Sequence, residues 1–172
     1  MSAPERGAAS APPPRALSDA AQRVQDVLRA GGFTNTVIEL AVPVKTAAAA
    51  AEAVGCTPAQ IVKSLVFRGA ASGVPVLVVA SGAHRVSEAK LQMLLGEPVR
   101  IGDPRFVREV TGFAIGGIPP IGHTRRLDTV VDAHLLALDG LWAAAGHPNS
   151  LFALSAEELV RMTGGRVAEV AA

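Results

Sequence analysis

Val74-Pro75-Val76-Leu77-Val78-Val79-Ala80-Ser81 is a nearly continuous apolar run rich in β-branched side chains. It reads as a strand buried on both faces, at the centre of a sheet. Such a strand needs a partner along each edge and cover on each face, so the rest of the chain is read outward from it. Immediately upstream, Lys63 to Arg68 reads as a second strand. It is preceded by Thr57-Pro58-Ala59-Gln60, a capping residue, a proline at the first helical position and a Gln three residues after the cap. That pattern predicts a short helix giving way to the strand.

Further upstream, Ser18 caps a predicted helix with Val24, Val27 and Leu28 on its apolar face and Gly31 at its end. Thr36 to Leu40 reads as a strand, and Thr46 caps an alanine-rich helix closing at Gly55. Residues 1 to 16, rich in Ala, Pro and Ser and without periodicity, are expected to form a disordered tail, leaving 17–172 as one domain. Downstream, helices are expected from Ser87 to Gly96 and from Asp103-Pro104 to Gly112. Thr129 to Leu138, Leu141 to Ala145 and Leu151 to Leu154 read as strands. Ser155-Ala156-Glu157-Glu158 is a capping box for a helix ending at Gly164, and Arg166 to Val170 makes a last short strand. The resulting fold class is α+β, a single domain with one mixed sheet and helices packed around it.

Composition narrows the function. Aromatics are only 3% and Tyr is absent, which disfavours a nucleic-acid surface built of stacked rings. The single cysteine, Cys56, excludes an intramolecular disulfide and any zinc site needing two thiolates. No stretch has the length of a membrane span, and the N-terminal residues are broken by Pro4, Glu5, Arg6 and Pro12 to Arg15, so a cytoplasmic location is expected. Net charge is +1, yet nine basic against four acidic residues between Lys63 and Arg126 leave that segment at +5. A basic middle of that size either meets phosphates or is a solvated surface.

Three features carry candidate chemistry. Lys63, one of three lysines among 16 basic residues, heads an apolar strand. There its ammonium is either a compact point charge held at a pocket or a strand-end lysine reaching to water. Gly116-Gly117-Ile118-Pro119-Pro120-Ile121-Gly122-His123 combines permissive backbone with stiff turns. Such a loop either presents N–H groups to an anion or an oxyanion, or is simply a tight turn. His123, Asp132, His134 and His147 are the polar groups of the later strands, but separations of 11 and 13 residues between the histidines match no compact metal motif, and His84 adds nothing regular. No metal and no cofactor is expected. Cys56 beside a helix cap is read as a core thiol, with a thiol-dependent hydrolase as a remote alternative.

From about Thr46 to Val170 the chain resembles the YbaK family, the editing domains associated with prolyl-tRNA synthetase. The resemblance rests on Gln60 to Phe67, Val76 to Gly82, Gly116 to His123, Val130-Val131-Asp132, Ala144-Ala145-Gly146 and the closing Leu154 to Val170, in that order and spacing. It implies a bent, barrel-like mixed sheet surrounded by helices, and metal-free hydrolysis of the ester joining a wrongly attached amino acid to the terminal adenosine of tRNA. It places the family lysine at Lys63 and the family's substrate loop from Gly116 to Pro120, with Asp132 as the acidic residue after a valine pair. The expected catalytic groups are therefore Lys63, Gly116 and Gly117. The expected substrate contacts are Ile118, Pro119, Pro120, His123, Asp132 and Gly146. Partners would be mischarged tRNA at its acceptor 3′ end and a synthetase, with no membrane. Pro119, where some relatives carry Ser, and the missing Tyr leave the amino acid unassigned. A non-catalytic module binding the tRNA 3′ end or a synthetase is the competing reading.

Overall fold

The computed structural model describes residues 16–42 and 44–172. Apart from Ala16, the expected N-terminal tail lies outside the described residues. Local chemistry sets most element starts. Ser18, Thr46, Ser87, Asp103 and Ser155 each accept a backbone N–H from the first turn of the helix they precede, which satisfies one of its orphan donors. The helices are α1 (Asp19–Ala30), α2 (Ala47–Val54), α3 (Glu88–Leu95), α4 (Pro104–Thr111) and α5 (Ala156–Thr163).

The strands are β1 (Val37–Glu39), β2 (Ile61–Gly69), β3 (Pro75–Ser81), β4 (Val99–Ile101), β5 (Asp128–Asp132), β6 (Leu141–Ala144), β7 (Ser150–Leu154) and β8 (Arg166–Ala168). They form one mixed sheet in the order β1-β7-β6-β2-β3-β5-β8, with β4 also paired to β2. β3 is central, and every one of its residues is buried, as its composition predicts. It runs antiparallel to β2 and parallel to β5. β1 and β8 are the two ends of this path, so the sheet is open, not a closed barrel. On one face α1, α4 and α5 cover a core containing Val24, Leu28, Val62, Val66, Val107, Phe152 and Leu159. On the other, α3 packs Leu91 against Phe67, Val76, Val78 and Val170. α2 seals a third, smaller cluster with Ile61 and Leu151.

Three expectations need correction. The Thr57 box supports only one 3₁₀ turn, Pro58–Gln60. Gln60 accepts from Thr57 N at 3.0 Å through Oε1 and donates through Nε2 to Gly140 O at 3.0 Å. The second bond draws the chain toward the start of β6, and β2 begins at once. The strand expected from Thr129 to Leu138 stops at Asp132, after which residues 133–137 turn through a 3₁₀ segment. The buried Asp132 carboxyl accepts Val170 N at 3.2 Å and fixes that end point against the chain's C-terminal stretch. Finally, β4 has no counterpart in the sequence reading. Its three residues are too few to show an alternation, and only pairing with Phe67–Gly69 makes them a strand.

Candidate active site in a break of the sheet

β2 pairs with β3 from Val62 to Arg68. Its other edge meets β6 only at Ile61 and Val62, and β4 only from Phe67 to Gly69. Between them the sheet is interrupted. Gly102 N donates to Val66 O at 2.8 Å and closes one end of the break. The break opens into a cavity of about 340 Å³. Six consecutive β2 residues, Ile61 to Val66, line it. A cavity over one face of a pleated strand would meet alternate residues. Contact with all six means that the cavity meets β2 edge-on. Thr46, which caps α2, Ala50 of α2, Val107 of α4 and Leu151 of β7 supply further wall, and the lining is mainly apolar.

The glycine–proline loop forms another wall through Ile115, Gly116 and Ile118. Its first two glycines have different jobs. Gly117 N donates to Ala114 O at 3.1 Å, and Gly117 O accepts Gly146 N at 2.8 Å. A Cβ on Gly117 would sit 2.9 Å from His147 N and Cα, so the loop is pressed backbone to backbone against the β6–β7 turn. Gly116 adopts φ +95° and is exposed, and its N–H has no hydrogen-bond partner among the described residues. The expected pair of free amides is therefore a single one, at Gly116. Gly146, also at φ +95°, supports the arrangement from behind, where a Cβ would lie 2.8 Å from Ala20 O.

Lys63 lines the cavity, and its ammonium donates to His84 O. Burial first, and the positive charge of Arg85 second, hold its pKa below the ordinary lysine value. Lys63, Gly116 and Ile118 thus meet at one cavity, with Gly117 and Gly146 as its scaffold. The remaining candidates lie elsewhere. Pro119 is buried and its carbonyl accepts from His123 Nε2 at 2.7 Å, which fixes the tautomer carrying the proton there. Burial lowers the His123 pKa, and the Pro119 bond partly offsets this. Pro120 and His123 border a separate depression together with Arg125, Arg126 and Arg161.

Asp132 forms a different group. It is fully buried and accepts from His134 Nδ1 at 3.2 Å. The His134 and His84 rings meet edge to face, 5.1 Å between centroids. One ligand-capable atom from each of His84, Asp132 and His134 falls within 4.8 Å of the others. Linear spacing gave no hint of this cluster. His84 reaches it by following β3 and Asp132 by ending β5, two strands that pair only in the fold.

Two residues absent from the sequence reading belong to the site. Asn149 Oδ1 accepts Val44 N at 3.2 Å and Asn149 O accepts Leu40 N at 2.7 Å, which anchors Val44 beside Lys45 on the cavity wall. Ser64, next to Lys63, lines the cavity, and its Oγ is buried without a partner. Nothing in the sequence marks Ser64, which sits between Lys63 and Leu65 of β2.

A small α+β domain with an apolar cavity set into a broken sheet is the class that this geometry defines. Residues 41–162 match the family described as "Aminoacyl-tRNA editing domain", and the chain belongs to that family. It is an aminoacyl-tRNA deacylase by class, and the expected family and fold both hold. It is similar to the uncharacterized protein YwhH of Bacillus subtilis, 32% identical over 133 residues, covering 77% of this chain and 84% of the relative. It is also similar to EbsC of Enterococcus faecalis, a candidate Cys-tRNA(Pro)/Cys-tRNA(Cys) deacylase, at 27% over 126 residues, 73% of this chain and 76% of the relative. A crystal structure of a candidate trans-editing enzyme for prolyl tRNA synthetase superposes with a TM-score of 0.88 at 44% identity, covering 91% of this chain and 99% of that one. Among the described residues, no helix is long and apolar enough to cross a membrane.

Proposed function

We propose that this protein acts in trans, in the cytoplasm, hydrolysing the ester of mischarged tRNA that carries a small amino acid, without a metal. One observation carries the reading: Lys63 and the free Gly116 amide border the same apolar cavity. Water adds to the ester carbonyl, negative charge grows on its oxygen, and the ribose oxygen leaves as the amino acid is released. The Gly116 N–H is a donor for that oxygen, and loss of one such donor costs about 3 kcal/mol in other enzymes. Lys63, whose ammonium is held on His84 O, adds a positive charge beside the cavity that it lines. The ribose 2′-hydroxyl relays the proton from the attacking water to the departing ribose oxygen, a transfer for which no side chain of the cavity is needed. Asp132 orients His134 and the C-terminal stretch and takes no part as a base, since both of its contacts lie within the fold.

Cavity size supports a small side chain. At about 340 Å³ it lies near the lower end of ligand pockets, roughly 300–1,000 Å³. Apolar walls select by exclusion, because each methylene is worth only about 1–3 kcal/mol. Ala or Ser is therefore preferred over Phe or Trp. The described role of the structural relative, editing for prolyl-tRNA synthetase, makes tRNA(Pro) the first acceptor to test. The exposed Arg125 and Arg126 are candidates for phosphate contacts beside the loop.

The test is a panel of tRNA(Pro) preparations, each charged with one amino acid, assayed at two salt concentrations with the wild type and Lys63→Ala. Alanyl or seryl esters should be released fastest, and binding should weaken with salt. Lys63→Ala should lose about 10²–10³-fold in rate, with circular dichroism unchanged. Wild-type turnover in Lys63→Ala would refute the role of Lys63, no hydrolysis of any ester by the wild type would favour a binding module, and fastest release of Phe or Trp would refute the size argument.

A further inference from the structure

The walls of the cavity hold few hydrogen-bond acceptors. Its lysines, Lys45 and Lys63, only donate, and Thr46 Oγ1 already accepts Ala49 N at 3.1 Å. The main chain of β2 supplies what the side chains do not. Hydrogen bonds fix which way each β2 residue points its backbone groups. Ile61 O accepts Gly82 N and Gly69 N donates to Val74 O, so odd-numbered residues face β3. Val66 O accepts Gly102 N, so even-numbered residues face the break. Val62 lies beside β6 and Val66 is joined to Gly102. Ser64, between them, pairs with Val79 of β3 on one edge only, and its N–H and C=O point to the other edge, toward the cavity, with no partner there among the described residues. Ser64 is partly exposed while its Oγ is buried, so its hydroxyl is not what it shows to the cavity.

We propose that the unpaired main chain of Ser64 is the binding site for the α-amino acyl group, its C=O accepting an α-amino N–H and its N–H donating to the ester carbonyl oxygen. This rests on the deacylase reading above and names how the same cavity recognises its substrate. An α-amino acyl group carries N–H and C=O on one carbon, as a single residue of a strand does. It can therefore exchange both hydrogen bonds with one facing residue, as two opposed residues do in an antiparallel pair. Extended ligands added to a sheet edge are recognised through the same main-chain bonds. The mode is blind to the side chain, which suits a cavity that selects by size, but it demands the α-amino group. An acyl group without that amine leaves the Ser64 carbonyl unpaired in a desolvated site.

Two measurements test this. In the first, wild-type protein hydrolyses alanyl-tRNA(Pro) and propionyl-tRNA(Pro), the same ester without the amine, with each rate divided by the spontaneous rate of that ester. The alanyl ester should be favoured about tenfold or more, the worth of one strong hydrogen bond. In the second, ¹⁵N-labelled protein is titrated with 3′-amino-3′-deoxyadenosine carrying alanine in a stable amide link. The Ser64 amide proton should move downfield, further than any other β2 amide. Equal normalised rates, or a Ser64 amide that stays put while Gly116 shifts, overturn the inference and leave the deacylase reading standing. Hydrolysis of neither ester, nor of any mischarged tRNA in the panel, removes the deacylase reading and this inference with it.

Discussion

Gly117→Ala tests the packing that sets the cavity wall. The added Cβ would meet His147 N and Cα at 2.9 Å and Gly146 C at 3.0 Å. All three are backbone atoms and cannot swing aside as a flexible side chain would. Gly117 is not at positive φ, so the cost worked here is the steric one. Forcing a methyl into a filled space costs about 1–3 kcal/mol. If the two loops part instead, the Gly146 N to Gly117 O bond of 2.8 Å is lost, adding about 1 kcal/mol. The sum is ~2–4 kcal/mol, or a melting point lowered by roughly 4–16 °C at about 2–4 °C per kcal/mol for a domain of this size. Activity should fall further than stability implies, because Gly116 is the next residue. Displacing a positioned group by about 1 Å can cost on the order of 10²-fold. Thermal melts followed by circular dichroism, with deacylation measured well below the melting point, give both numbers. A variant that melts within a degree of wild type and turns over normally would show that the loop is not pressed against residues 146–147.

Three further outcomes are expected. Cys56→Ser should keep wild-type turnover, because burial pushes the Cys56 thiol up, away from thiolate, and its Sγ bonds Thr57 O at 3.5 Å; an inactive but folded Cys56→Ser would restore the thiol mechanism. Deacylation should survive exhaustive chelation, whereas loss restored by one added metal would assign a metal role to His84, Asp132 and His134. The third concerns acid stability. Burial holds the His123 pKa below its ordinary 6.5, so the unfolded chain takes up a proton first as pH falls. Stability from this residue is complete above 6.5 and is lost as pH drops from there toward the folded value. His123→Gln should therefore show a flatter urea midpoint between neutral and mildly acidic pH, and an unchanged slope would refute the assignment.

Whatever depends on neighbours a few residues apart is legible in the chain before it folds. Helix starts at Ser18, Thr46, Ser87, Asp103 and Ser155 were legible because a cap bonds an amide within its own first turn. β3 was legible because seven buried residues in a row leave no solvent face to disguise. The Gly116–His123 loop was legible from its glycines and prolines, and Lys63 from its place at the head of a strand. What the tertiary structure decided depends on residues far apart in the chain. β4 exists only as a partner of β2, and the strand after Asp128 ends where Asp132 meets Val170. The cluster of His84, Asp132 and His134 forms because β3 and β5 are neighbours. The division of labour between Gly116 and Gly117 follows from the turn at 146–147 pressing on only one of them. Above all, the cavity is the space between β6 and β4, two strands that each cover only part of the β2 edge. Ser64 looks in sequence like any small residue of an apolar strand. Its exposed main chain is set by where two distant strands stop, because hydrogen-bond pairing across a sheet is non-local and leaves no trace in the residue that goes unpaired.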